Sequence, residues 1–172
     1  VLKDIAMDGS TVWFSTLRDG IMGYDGTEWI VHTTEDGLRS NTFRYVMFVD
    51  ENGDKWTARD AGNTIDRLHD GGTFTNKDDD TWSYYSSPPE LESRRVFSMV
   101  GDGNGNVWCG IRDEADSEPS VVELLVENGP GTDDDEWYPF GDQFEPGIFS
   151  SADVRELAMD ASGRLWLVYD RN

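Results

Sequence analysis

LKDIAMDGSTVW (2–13) and VRELAMDASGRLW (154–166) are nearly the same text at opposite ends of the chain. Two more copies lie between them, RYVMFVDENGDKW (44–56) and VFSMVGDGNGNVW (96–108). The unit is an apolar run ending in Asp, a turn bearing Gly or Ser, and a Trp. The four tryptophans are spaced 43, 52 and 58 residues apart (13 to 56, 56 to 108, 108 to 166), and a second Trp recurs at 29, 82 and 137. All seven tryptophans therefore occupy one of two repeating positions. A period of this length marks a repeat architecture, and it decides the fold before any local reading does.

Each unit parses into four short strands. In the first they span roughly 2–7, 11–16, 21–25 and 28–33, broken by the pairs Asp8-Gly9, Asp19-Gly20 and Asp25-Gly26. Asp-Gly is a strong hairpin signal, because glycine accepts the positive φ that tight turns require. The second unit repeats the pattern near 43–49, 54–58, 64–69 and 81–85, and the third near 95–100, 106–111, 120–126 and 136–140. No segment has sustained helical periodicity with caps. Four antiparallel strands per unit of about 50 residues is the signature of a propeller blade. The recurring Trp suits sheets stacked face to face, since each buries about 150–250 Å². That corresponds to about 4–6 kcal/mol of gross transfer free energy, an upper bound.

The expected architecture is all-β, a β-propeller fragment of about three and a half four-stranded blades. Blades 1–41, 42–93 and 94–152 and a half blade 153–172 form one partial propeller. Closed propellers have four to eight blades, so this chain is expected not to close a ring alone. Its end faces are expected to meet the remaining blades of the same polypeptide, a second copy or another partner. Trp13, Trp56, Trp108 and Trp166 are expected at equivalent, largely buried positions.

Composition narrows the partners. The 172 residues carry 35 acidic against 14 basic side chains, a formal net charge of −21. Such a chain repels phosphate backbones and anionic membranes, which argues against nucleic acid. The absence of a long apolar run argues against membrane insertion of this segment. One cysteine, Cys109, permits no internal disulfide and follows Trp108 in an apolar run, where a small buried side chain fits.

The segment YDGTEWIVHTTEDGLRSNTFRYVMFVDENGDKWTA (24–58) resembles the two-component regulator propeller repeat. The resemblance rests on Asp25, Gly26, Trp29, His32, Thr33, Asp36, Gly37, Leu38, Ser40, Asn41, Asp50, Gly53 and Trp56. The later linking loops, SSPPELESRR (86–95) and GDQFEPGIFSSAD (141–153), depart from the pattern. By resemblance, such repeats build periplasmic sensor regions of hybrid histidine kinases, some responsive to polysaccharide fragments, and occur in other bacterial surface and secreted proteins. The resemblance implies a periplasmic, extracellular or cell-surface setting.

Three constellations invite chemistry. Arg-Asp neighbours recur at the exit of the second strand, as Arg18-Asp19, Arg59-Asp60, Arg112-Asp113 and, reversed, Asp170-Arg171. In a propeller these exits share a face with the blade-linking loops. A partial ring of guanidinium and carboxylate groups suits a sugar or a carboxylated ligand through bidentate bonds. A charged hairpin turn with weak local ion pairs is the alternative. Asp78-Asp79-Asp80 and Asp133-Asp134-Asp135 offer hard oxygens that suit Ca²⁺, as do the alternating oxygens of Asp50-x-Asn52-x-Asp54 and Asp102-x-Asn104-x-Asn106, though turns select the same residues. No other cofactor is expected. Catalysis finds little support: His32 and His69 are the only histidines, with no metal-ligand spacing, nucleophile elbow or phosphate loop. The leading expectation is a noncatalytic extracytoplasmic ligand-binding or sensor module. A structural or adhesive surface scaffold and a fragment of a propeller carbohydrate-active enzyme are the alternatives.

Overall fold

The computed structural model describes residues 1–59, 64–86, 94–112, 121–126, 135–140 and 152–171. The described residues contain fourteen strands and no helix, and hence no helix long and apolar enough to cross a membrane. They form three four-stranded antiparallel sheets and one two-stranded sheet, each in simple sequential order. The first sheet comprises β1 (Leu2–Asp8), β2 (Thr11–Thr16), β3 (Ile21–Tyr24) and β4 (Trp29–His32). The second comprises β5 (Phe43–Val49), β6 (Lys55–Arg59), β7 (Thr64–His69) and β8 (Thr81–Ser86). The third comprises β9 (Arg95–Gly101), β10 (Val107–Arg112), β11 (Val121–Val126) and β12 (Glu136–Pro139), and β13 (Ala152–Met159) pairs with β14 (Leu165–Arg171). This is the meander of propeller blades, with every strand where the repeat put it to within a residue or two.

The repeat has a physical core in its first turn. Asp50 Oδ1 accepts the backbone N–H groups of Asn52 and Asp54, both at 2.9 Å, and Oδ2 accepts the Trp56 indole N–H at 2.8 Å. Asp160 repeats this, taking the amides of Ser162 and Arg164 on Oδ1 and the Trp166 indole on Oδ2 at 2.9 Å. In the third copy the Asn106 amide side chain takes the second oxygen of Asp102, at 2.7 Å. One carboxylate thus closes the hairpin and aims the following side chain. Asp8 sits one residue closer to its Trp, and the Trp13 indole N–H is buried without a hydrogen-bond partner.

A second recurring device lies in the first strand of every sheet. The register against the second strand shifts between Leu2 and Asp4, between Phe43 and Met47, between Val154 and Glu156, and in β9 between Val96 and Ser98. Aligned on their terminal Asp, these irregularities fall at the same place, so each blade turns its inner strand alike.

The chain divides into two compact units. In the first, β5 packs on β1 and β2. Trp13, Ile21, Ile30, Leu38, Phe43, Met47 and Leu68 form its buried cluster, flanked by Phe74 and Trp82. In the second, β13 packs on β9 and β10. Val122, Val154 and Leu157 are buried there, with Trp108, Phe140, Leu165 and Leu167 against them. Close approach needs a small residue on β10: a Cβ on Gly110 would lie 3.2 Å from Val154 and 3.7 Å from Leu157.

The same hydrogen bond pins both packings. The Met47 amide donates to Asp4 Oδ2 at 2.8 Å, and the Leu157 amide donates to Ser98 Oγ at 2.9 Å. Asp4 and Ser98 are equivalent in the repeat, as are Met47 and Leu157.

The four repeat tryptophans occupy equivalent register positions, opposite Ala6, Phe48, Val100 and Ala158. Their burial is not uniform, which corrects the expectation. Trp13 and Trp56 are fully buried and Trp108 is half-buried, but Trp166 is 57% exposed. Trp166 lies on the face of β13–β14 opposite the one that packs on β9 and β10, and no sheet among the described residues covers that face.

Candidate functional site

The candidate rim is built where second strands end. Arg18 and Asp19 lie exposed in the turn after β2. Thr16 organises this turn, its hydroxyl donating to Gly20 O at 2.9 Å and accepting from the Asp19 amide at 2.7 Å. Gly20 adopts φ of 76°, and its amide donates to Asn41 O at 3.1 Å. That bond sets the turn against the end of the loop linking β4 to β5. The loop is itself ordered: Asp36 accepts from the Thr33 amide and hydroxyl, and Asn41 exchanges hydrogen bonds with Thr34. The Lys77 ammonium and the Thr33 donors hold the Asp36 carboxyl below its ordinary range, overcoming the opposing effect of burial.

Arg59 ends β6, opposite Phe43, and is half-buried. Arg112 ends β10, opposite Arg95, with its guanidinium carbon 3.8 Å from the Phe97 ring centroid. Asp60 and Asp113 lie outside the described residues, while Asp170 and Arg171 close β14 opposite Asp153 and Ala152. Arg59 and Arg112 thus end their strands, whereas Arg18 lies two residues beyond the end of β2, in a turn set beside a linking loop.

The Asp-rich turns behave differently from one another. Asp80 is 4% exposed and pairs with His32 Nε2 at 2.7 Å. Asp79 accepts from the Thr73 hydroxyl, and Asp78 donates its amide to the Asn76 side chain. The Asp79 and Asp80 carboxylates therefore serve separate contacts. Asp135 precedes β12 and is half-buried, whereas Asp133 and Asp134 lie outside the described residues. Among the described residues no group of three or more His, Cys, Asp or Glu could hold a metal ion. The alternating oxygens of Asp50 and Asp102 are occupied by N–H donors of their own turns. The Asn106 and Asn104 donors lower the Asp102 carboxyl below its ordinary range although burial acts against them, and the Ser162, Trp166 and Arg164 contacts do the same for Asp160.

Several strong polar contacts escaped the sequence reading because they join residues far apart in the chain. Arg39 leaves the linking loop to grip Asp66: its amide reaches one carboxylate oxygen at 2.9 Å and its Nε the other at 2.6 Å. The same guanidinium donates to Ile65 O and Tyr85 O and lies over the Tyr84 ring. Lys55 is 1% exposed between Asp8 at 2.9 Å and Asp70 at 2.5 Å, over the Trp13 ring. Asp54, equally buried, takes Arg67 on one oxygen and His69 on the other. His32, fully buried, sits between Trp13 and Trp82, and burial holds its pKa below the ordinary value against the pull of Asp80. Cys109 is fully buried, and burial pushes its thiol far above the ordinary range, so it is no nucleophile. These groups are framework: each buried charge meets an opposite one, as low dielectric requires.

No family model matches the chain, and no curated protein matches it. Structural similarity extends to PorZ, described as an essential bacterial surface component of the type-IX secretion system of Porphyromonas gingivalis. The two share a TM-score of 0.65 at 17% identity, over 98% of this chain and 24% of the PorZ chain. At that identity the likeness is one of fold, and the chain spans about a quarter of its neighbour's length.

Proposed function

We propose that this chain is a noncatalytic extracytoplasmic binding module whose ligand contacts lie at the second-strand exits, with Arg18 and Arg59 in the first unit and Arg112 in the second. The carrying observation is the Gly20–Asn41 hydrogen bond, which sets an exposed Arg-Asp turn against a blade-linking loop. Lys55, Arg39 and Arg67 are held by internal carboxylates, whereas Arg18 stands exposed at that turn. A guanidinium on a rigid turn suits bidentate contact with a carboxylated sugar or another carboxylate ligand. The resemblance of residues 24–58 to the two-component regulator propeller repeat supports a sensor role. The test is binding to a glycan array, followed by Arg18→Ala, Arg59→Ala and Arg112→Ala. Loss of tenfold or more in at least one variant is expected, and unchanged binding in all three removes the rim from consideration.

A surface scaffold for protein contacts is the second reading. It draws on the fold shared with PorZ, a surface component of a secretion system, and on the apolar sheet faces exposed at β1 and β14. Under either reading the chain works outside the cytoplasm. Protease accessibility on intact cells of the source organism tests that, with protection of the chain as the contrary result.

A further inference from the structure

The loop joining β7 to β8 lies as a strap on the first sheet. Residues 70–80 form no ladder and are ordered by turns, such as those from the Thr73 amide to Asp70 O at 3.2 Å and from the Asn76 amide to Thr73 O at 3.1 Å. Three side chains fasten the strap to that sheet and its loop. Phe74 meets the Trp13 ring edge-on at 5.9 Å, in space that Gly23 leaves open: a Cβ there would fall 2.8 Å from the Phe74 ring. Lys77 donates to Val31 O and to Asp36 Oδ1, the latter at 2.8 Å. Asp80, 4% exposed, meets Nε2 of the fully buried His32 at 2.7 Å. Of these contacts only the last holds a group that ordinarily changes charge between pH 5 and 8.

We propose that His32 is an acid-released latch, whose protonation frees the strap at 70–80 and loosens the adjoining linking loop at 33–41. The geometry of the ring carries this. With Asp80 ionised, Nε2–H donates to it, and Nδ1 is buried without a hydrogen-bond partner. Protonation puts a second N–H at Nδ1. The aromatic neighbours cannot take it: Trp13 and Trp82 offer only indole N–H donors, themselves buried without partners. The imidazolium therefore keeps one donor unpaired inside, and it reaches water only by displacing what covers it. The charged groups facing His32 are Asp80 and Lys77 of the strap and Asp36 of the linking loop. β3 sets Ile21 beside it, and Lys55, over the Trp13 ring, is engaged by Asp8 and Asp70. Burial is the largest influence on the ring and opposes its charge; Asp80 and Asp36 favour the charge, Lys77 repels it, and the balance lies below the ordinary value. The linking loop carries the effect outward, since Asp36 takes Lys77 and Asn41 O takes the Gly20 amide beside Arg18. Regulation of ligand contacts at Arg18 rests on the binding-module reading; the latch itself does not.

Amide hydrogen exchange of the intact chain, expressed as protection factors at about pH 7.5 and about pH 5.5, tests this. Both values lie above the ordinary carboxylate range, so the histidines are the side chains that titrate between them. Protection of the Asn76 amide in the strap and of the Leu38 amide, bonded to Thr33 O in the linking loop, should fall at the lower pH. The ordinary histidine value in the opened state sets a ceiling of about tenfold on that fall. The Met47 amide, on Asp4 in the same unit, should keep its protection. His32→Gln should abolish the response, and His69→Gln, which removes the only other histidine, should leave it intact. If circular dichroism finds His32→Gln unfolded, NMR titration of the His32 ring in the intact chain replaces it, with protection expected to fall over the range in which the ring titrates. Protection that stays flat between the two pH values, a response that survives His32→Gln or disappears in His69→Gln, a fall that does not follow the His32 titration, or an equal loss at Met47 overturns the proposal.

Discussion

Replacing Asp50 with alanine removes one carboxylate and three hydrogen bonds, from the Asn52 and Asp54 amides at 2.9 Å and from the Trp56 indole at 2.8 Å. The losses differ in kind. The Trp56 side chain is 1% exposed. Its N–H then stays buried without a partner, at a cost of about 1–3 kcal/mol. Asn52 is at the surface and Asp54 has its other contacts, so each turn amide contributes about 0.5–1 kcal/mol net. The sum is about 2–5 kcal/mol. Asp50→Asn keeps an acceptor for the amides and should lose about half as much. Equilibrium denaturation followed by circular dichroism and Trp fluorescence reads these values. Blade 1 supplies the control: the Trp13 indole already lacks a partner, so Asp8→Ala leaves it unchanged and removes only the Lys55 contact. A loss below about 0.5 kcal/mol for Asp50→Ala, within the range of ordinary surface substitutions, refutes the turn-lock reasoning.

Arg39→Ala should cost about 3–5 kcal/mol, because Asp66 is fully buried and would keep its charge without its partner. Arg39→Lys should not restore it, since a single ammonium cannot reproduce the forked contact; the same denaturation assay decides. Gly20→Ala should cost more than about 2 kcal/mol, since φ is 76° and the new Cβ would fall 2.0 Å from His32 O. In acid, stability should fall in two stages. The depressed His32 pKa gives a contribution complete above its ordinary 6.5 and lost as pH falls below it. Asp102 and Asp160, also depressed, add theirs above 3.8 and lose it below. Urea midpoints against pH should show both stages, and His32→Gln should remove the upper one. Ca²⁺ should raise the melting temperature no more than Na⁺ at equal ionic strength, the behaviour of charge screening; a specific Ca²⁺ increment would restore the Asp-rich turns as a site.

The strands and their order were legible because period and turn chemistry are local. Asp25 illustrates this: it accepts the Thr27 and Glu28 amides at 2.8 Å and folds the hairpin before Trp29 with no help from elsewhere. What sequence could not reach depends on neighbours. The bulge near Lys3, Phe97 and Arg155 has no residue signature, since three different side chains occupy it. Adjacency drew notice to the Arg-Asp pairs, whereas the strongest framework pairs, Arg39–Asp66 and Lys55–Asp8, join distant segments. One signal was available. Alternation in β6 puts Lys55 on the face that packs on the first sheet, and a lysine there demands carboxylates nearby. Trp166 was misjudged for the converse reason: a repeat position fixes where a side chain points, and burial needs a sheet to point at.

The central claim is that within each unit the two sheets mate through one repeated geometry, pinned by the Met47 amide on Asp4 in the first and the Leu157 amide on Ser98 in the second. Residue-resolved amide hydrogen exchange measures both pins at once. Both amides should exchange slowly in the intact chain. Asp4→Ala should release Met47 at least about tenfold while leaving Leu157 unchanged, and Ser98→Ala should do the reverse. Fast exchange at either amide in the intact chain, or an amide indifferent to loss of its own acceptor, would contradict the account.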